Sequence, residues 1–205
     1  MLSLLEMAPL LGRDEAPNPV TIDFAPGEAA VITGPSGAGK SLFLRAIADL
    51  DPSRGRVLLD GADRDAMPAP VWRRRVGYLA ADSGWWADRV SDHFDDPDRA
   101  RAYLGRLGLR PELMDATVER LSTGEKHRLA LIRFLVLDPA PAVLLLDEPT
   151  GPLDADSEAR VETLLRERMD QGAIVIMISH DAAQADRLAT RRFRVERGQL
   201  SEVSP

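Results

Sequence analysis

Apolar residues fall along this chain in two rhythms. Short unbroken runs recur at Ala29-Ala30-Val31-Ile32-Thr33, at Val143-Leu144-Leu145-Leu146 and from Ala173 to Ile178. Unbroken runs of strand length suit strands buried on both faces of a parallel sheet. Between them, apolar residues take helical spacing. Leu42, Phe43, Leu44, Ala46 and Ile47 follow the first run, and Val161, Leu164, Leu165 and Arg168 share one stripe of a helix predicted from Asp156 to Met169. Strands alternating with helices predict an α/β fold with a mostly parallel sheet. Shorter strands are predicted over Met1 to Met7, over Val20 to Phe24 before the turn Pro26-Gly27, and over Val76 to Ala80. Another runs from Arg56 to Leu59, between the turn signals Asp51 to Gly55 and Asp60-Gly61. The tail, Arg192 to Val203, reads as two strands around Arg197-Gly198. Residues 82–137 are mainly helical in pattern, punctuated by Pro97 and Pro111, and read as a lobe inserted into the sheet. Arg73-Arg74-Arg75 reads as a solvated charge run at a strand edge.

Composition narrows the class. At 205 residues the chain is expected to form a single domain, and 44 % hydrophobic with 29 % charged residues suits a soluble one. The net charge of −7 argues against nucleic acid as main partner. No cysteine means no disulfide and no thiolate metal site. No run reaches the ~18 apolar residues of a membrane span. The apolar start lacks a basic leader and carries Glu6, so a first strand is expected rather than a signal peptide.

The chemistry concentrates at Gly34-Pro35-Ser36-Gly37-Ala38-Gly39-Lys40-Ser41. This fits the phosphate-binding pattern G-x-x-x-x-G-K-[ST], and it falls between a predicted strand and a predicted helix, as that loop requires. Glycines let the backbone curl with its N–H groups inward, and the helix start adds free N–H groups and a positive dipole end. Lys40 would reach the β- and γ-phosphates, and the Ser41 hydroxyl would ligate Mg²⁺. The run Val143 to Leu146 ends in Asp147-Glu148, which puts two carboxylates at the tip of a buried strand. There Asp147 suits Mg²⁺ and Glu148 suits the attacking water.

Leu121-Ser122-Thr123-Gly124-Glu125 opens a helix, with Ser122 lying 25 residues before Asp147. With these segments in this order the chain resembles the ABC ATPases, the ATP-binding subunits of ABC transporters, over nearly its whole length. Gly34 to Ser41 is similar to their Walker A loop, Leu121 to Glu125 to their signature, and Leu144 to Glu148 to Walker B. Gly151-Pro152-Leu153-Asp154 resembles the D-loop, and His180 the switch histidine. The resemblance implies a phosphate-loop core, an N-terminal antiparallel β-subdomain and a short helical insert. It implies ATP and Mg²⁺, catalysis by Glu148, His180 and Lys40, and a composite site in which Ser122 and Gly124 of one subunit close over the ATP of another. Asp154 would couple the two sites of that homodimer or heterodimer. A transmembrane permease subunit would be the partner, with this chain cytoplasmic and peripheral on the membrane. A non-transport member of the family and a nucleotide-binding regulatory subunit are the alternatives.

Three positions depart from the family pattern. Ala81 stands where a glutamine is expected, leaving Asp82 as the candidate to reach Mg²⁺. Thr123 replaces a signature glycine. No aromatic precedes the loop to stack on adenine among residues 1–23, so Arg13, Leu10 and Leu11 are the candidates for base contact. In the lobe, Trp85-Trp86 reads either as core packing or as an anchor for a membrane partner.

Overall fold

The computed structural model describes residues 1–10 and 17–203. Five strands carry the centre of the molecule: β3 (Ala29–Thr33), β6 (Val76–Leu79), β7 (Val143–Asp147), β8 (Ile174–Ile178) and β9 (Arg191–Glu196). They lie parallel in the order β9-β3-β8-β7-β6, and β10 (Gln199–Val203) pairs antiparallel with β9 at the edge. A second, antiparallel sheet has the order β2-β1-β4-β5, formed by β1 (Leu2–Pro9), β2 (Val20–Phe24), β4 (Ser53–Leu59) and β5 (Ala62–Asp63). The helices are α1 (Lys40–Ile47), α2 (Ala69–Arg75), α3 (Pro97–Leu104), α4 (Thr123–Leu135), α5 (Ala155–Asp170) and α6 (Ala182–Leu188). This is the expected α/β core with an N-terminal antiparallel sheet and an inserted helical segment.

The unbroken apolar runs are explained by burial on two sides. Alternate residues of one strand enter different cores. Ala30, Ile32, Val143, Leu145 and Ile176 pack with Leu44, Ile47, Phe24 and Leu4, between the two sheets and α1. Val31, Leu144, Leu146, Val175 and Met177 pack with Leu129, Ile132, Val161 and Leu165, under α4 and α5. The second core runs on into the insert through Leu104, Leu107 and Met114.

Three expectations are corrected. Arg73, Arg74 and Arg75 form the last turn of α2 rather than a strand edge, with Arg73 paired to Asp49 and Arg75 to Asp60. Pro68 and Pro70 disguise α2 in the sequence, but proline is tolerated in a first turn, where N–H groups have no partner anyway. The helix is fixed from inside by Trp72, fully buried, whose indole N–H donates to the Ile47 carbonyl at 2.9 Å. Second, β4 begins at Ser53, inside the predicted turn. Pairing with β1 resumes beyond an irregularity after Leu5, with Ala8 opposite Arg54 and Pro9 opposite Ser53. Third, residues 82–137 hold two α-helices, α3 and α4, and are otherwise 3₁₀ turns and loops.

Candidate nucleotide-binding and catalytic site

Because β3, β8, β7 and β6 are parallel neighbours, the loops that leave their C-terminal ends share one edge of the sheet. That edge is where open α/β sheets bind ligands. It receives the loop 34–39 from β3, His180 just after β8, Asp147 and Glu148 from β7, and Asp82 just after β6.

The loop after β3 is shaped by its glycines. Gly34 has φ +143°, and a Cβ there would lie 2.3 Å from the Val195 carbonyl oxygen, so no side chain fits. Gly39 caps α1 in the left-handed region at φ +98°, which turns the chain directly into the helix. α1 begins with no side-chain cap and no acidic residue in its first turn. Its leading N–H groups and positive dipole end therefore face the loop, which is a site for an anion. Lys40 is 6 % exposed, and its ammonium donates to the carbonyls of Gly34 at 2.9 Å and Pro35 at 3.0 Å. The cation is thus held inside the curl of the loop, beside those N–H groups.

Glu148 has φ +50°, a left-handed backbone that is uncommon for a residue with a side chain. Such a conformation persists only where the surroundings enforce it. Its N–H donates to the Ile178 carbonyl and its carbonyl accepts from Gly151 N–H. The bend turns its carboxylate toward His180, whose Nε2 lies 3.0 Å from Glu148 Oε1. Both side chains are solvent-accessible, so the pair can bind and orient a water.

Asp147 is 5 % exposed and accepts a 2.9 Å hydrogen bond from the Tyr78 hydroxyl on β6. Burial and the adjoining carboxylate push the Tyr78 phenol well above its usual range, so it stays a donor. Tyr78 was missed in the sequence, since the signal is the pairing of β6 with β7, which the sequence does not display. Ser41 is exposed in the first turn of α1, and α1 packs against β7. Among the described residues no group of three or more His, Cys, Asp or Glu could enclose a metal. One carboxylate and one hydroxyl suit Mg²⁺, which keeps most of its shell as water and phosphate oxygens. Asp82 is exposed in the bend after β6, on the rim of a cavity of about 570 Å³.

Ser122 and Gly124 stand at the start of α4. Ser122 Oγ accepts from Glu125 N–H at 3.2 Å, while Glu125 Oε2 accepts from Ser122 N–H at 2.9 Å. This reciprocal capping box, and chiefly the Ser122 N–H, holds the Glu125 carboxyl below its usual range. Asp154 caps α5, accepting from Ser157 N–H at 2.8 Å. Neither Ser122 nor Asp154 is bonded to the loop 34–39 within this chain. Of the candidates for base contact, Leu10 is half-buried, and Leu11 and Arg13 lie outside the described residues. Trp85 packs partly into the lobe core, whereas Trp86 is 70 % exposed on the cavity, with the Arg133 guanidinium 4.7 Å above its ring.

Fold and site together define a phosphate-loop nucleotide triphosphatase. The family model described as ABC transporter matches residues 17–151. The Escherichia coli K12 protein named as a probable iron export ATP-binding protein, FetA, is 31 % identical over 99 % of this chain and 95 % of its own length. The cell division ATP-binding protein FtsE of the same bacterium is 33 % identical over 93 % of this chain and 92 % of its own. Rice STAR1 is 36 % identical over 91 % of the chain, which spans 57 % of that protein. A bacterial Atm1-family ABC exporter solved with ATP bound superposes with TM-score 0.84 at 25 % identity, over 98 % of this chain and 38 % of the exporter. A dimeric ATP-binding cassette solved with ADP and Pi shares the fold at TM-score 0.85 and 22 % identity, end to end in both chains. The chain belongs to the ABC transporter family. Among the described residues no helix is long and apolar enough to cross a membrane.

Proposed function

We propose that residues 1–205 form one ATPase domain that powers a separate transmembrane permease subunit from the inner face of the membrane, closing as a dimer around two ATP molecules. The observation that carries the reading is the shared edge of the sheet, where an uncapped helix start and a buried lysine face a carboxylate paired to an imidazole. The triphosphate would lie along residues 34–41, with its β- and γ-oxygens taken by backbone N–H groups and by Lys40. On binding, Lys40 exchanges the carbonyls of Gly34 and Pro35 for phosphate oxygens. Ser41, Asp147 and Asp82 would hold Mg²⁺, which supplies charge neutralisation between the phosphates. Glu148 accepts a proton from the attacking water, and the His180 N–H fixes the carboxylate and meets the γ-phosphate. Ser122 and Gly124 of a second subunit would add donors to the same phosphate, stabilising charge as it develops.

The permease would dock at the cavity between β6 and the lobe. That surface combines the exposed Trp86 ring with Phe94, Phe134 and Arg133. An exposed aromatic beside a cavity is a strong anchor for a protein partner. Pull-down from detergent-solubilised membranes tests this reading. The wild-type chain should retain a membrane protein that Trp86→Ala loses. Retention of ribosomes or DNA instead would contradict it.

A further inference from the structure

Gln184, in α6, is 1 % exposed. A buried amide costs free energy unless its polar atoms find partners. Its Nε2 donates to Thr150 Oγ1 at 2.8 Å and to Glu158 Oε1 at 3.2 Å. The Glu158 carboxylate, paired to Arg187, can only accept, so the amide is fixed with its nitrogen toward both partners. Its Oε1 is enclosed and has no partner. The donors are met and the acceptor is not, so what this site uses of the glutamine is its N–H pair.

The bond to Thr150 joins the two segments that carry Glu148 and His180. Thr150 is itself buried, two residues beyond Glu148, and Gln184 lies four residues beyond His180. The turn that holds Thr150 is closed by Gly151 N–H, which donates to the Glu148 carbonyl at 3.2 Å. This turn folds back against the carboxylate, for a Cβ on Gly151 would lie 3.6 Å from Glu148 Oε2. On the other side, Asp181 caps α6 by accepting from Ala183 N–H at 2.9 Å, and its own N–H donates to Ser179 Oγ at 3.0 Å. His180 is thereby fastened to the start of the helix that carries Gln184. The contacts close a ring. Glu148 meets His180 at 3.0 Å, the start of α6 leads to Gln184, the amide reaches Thr150, and the turn returns to Glu148.

We propose that Gln184 is a positioning residue for the Glu148–His180 pair, setting through Thr150 the spacing at which the carboxylate and the imidazole face each other. The Gln184–Thr150 bond is buried, whereas the Glu148–His180 contact is open to solvent. The buried bond therefore holds the spacing when water and phosphate enter between the exposed pair. This rests on the reading of Glu148 and His180 as the groups that handle the attacking water.

The test compares steady-state Mg-ATP kinetics at 25 °C of wild-type protein, Gln184→Met, Thr150→Val, Thr150→Ser, the Gln184→Met/Thr150→Val double variant and Glu148→Gln, with melting temperatures alongside. Methionine keeps the length of the side chain and removes the donor, and valine keeps the shape of threonine and removes the acceptor. Each should lower kcat about tenfold, since small misplacements of reacting groups are costly. KM for ATP should stay within about twofold, because the loop 34–41 is untouched. The double variant should be no more than about threefold slower than either single one, because both remove the same bond. Thr150→Ser retains the hydroxyl and should turn over within about threefold of wild type. If Gln184→Met does not fold, Thr150→Val against Thr150→Ser decides. Lower melting temperatures with a wild-type kcat in the methionine or valine variant overturn the proposal, since the bond would then be structural only. So does a double variant about a hundredfold slow, which would mean two separate effects, or a serine variant as slow as valine. Those results beside slow turnover by Glu148→Gln sink the positioning role alone. Wild-type turnover by Glu148→Gln sinks the reading of Glu148, and the positioning role with it.

Discussion

Ser122→Ala separates two roles that one hydroxyl is asked to play. Within the chain, Ser122 Oγ caps α4, accepting from Glu125 N–H and donating to Glu125 Oε2 at 2.8 Å. Alanine keeps the backbone half of the capping box and loses the hydroxyl half. An N-cap serine is worth about 1 kcal/mol, which lowers the melting temperature of a domain this size by roughly 2–4 °C. A protein of ordinary stability, about 5–15 kcal/mol, remains more than about 99 % folded at 25 °C after that loss. The cap alone therefore leaves turnover at 25 °C unchanged. The second role is to donate to the γ-phosphate held by another subunit. A hydrogen bond to a charged group contributes about 1.5–3 kcal/mol, so its loss should cut kcat/KM by about 10- to 150-fold. The assay is phosphate release at 25 °C, with a thermal melt on the same preparation. Ser122→Thr, which retains hydroxyl and cap, should recover both readouts. Wild-type turnover by Ser122→Ala would mean that the hydroxyl is a helix cap and nothing more, and the composite site would lose its central contact.

Other outcomes follow from the same geometry. Lys40→Ala removes the buried ammonium from the loop, and titration calorimetry with Mg-ATP should show binding weakened by at least about tenfold, as expected for a lost charge-assisted contact. With no upstream aromatic, kcat/KM for GTP should lie within about tenfold of that for ATP, since stacking on a base is worth about 1–3 kcal/mol. A preference above about a hundredfold would reveal a base-reading group not yet located. Glu162, 2 % exposed on α5, is driven upward by burial, but the hydrogen bonds and charges of Arg187 and Arg166 outweigh this and leave it below its usual range. A carboxylate lowered in the folded state stabilises above its unfolded value of 4.5 and loses that contribution as pH falls. Urea titrations should therefore show Glu162→Gln flattening the loss of stability below about pH 4.5. Arg187→Met should cost roughly 1–3 kcal/mol at pH 7, because it leaves the buried carboxylate with Arg166 as its remaining cationic partner.

The legible parts of the sequence were those written locally. The proposed phosphate loop is a contiguous turn between a strand and a helix, and Gly34 and Gly39 take there the positive φ angles that glycine adopts readily. Unbroken apolar runs announced β3, β7 and β8 because both of their faces are buried. What escaped depends on which strands become neighbours. Tyr78 reaches Asp147 only because β6 pairs with β7, whereas the partnership of His180 with Glu148 was implied by the family resemblance and not by any local pattern. α2 was hidden by prolines that look like breakers but occupy a first turn. The lobe looked more helical than it is, because short 3₁₀ turns share the apolar spacing of helices over three or four residues.

Dimer closure driven by ATP is the central claim, and the mass of Glu148→Gln in solution tests it most directly. That variant should bind Mg-ATP and hydrolyse it too slowly to reopen. Sedimentation should give the 22.5 kDa monomer without nucleotide, twice that mass with Mg-ATP, and the monomer again when Ser122→Arg is added to the same chain. A protein that stays at 22.5 kDa with saturating Mg-ATP, or one that turns over ATP at the wild-type rate, would contradict the account.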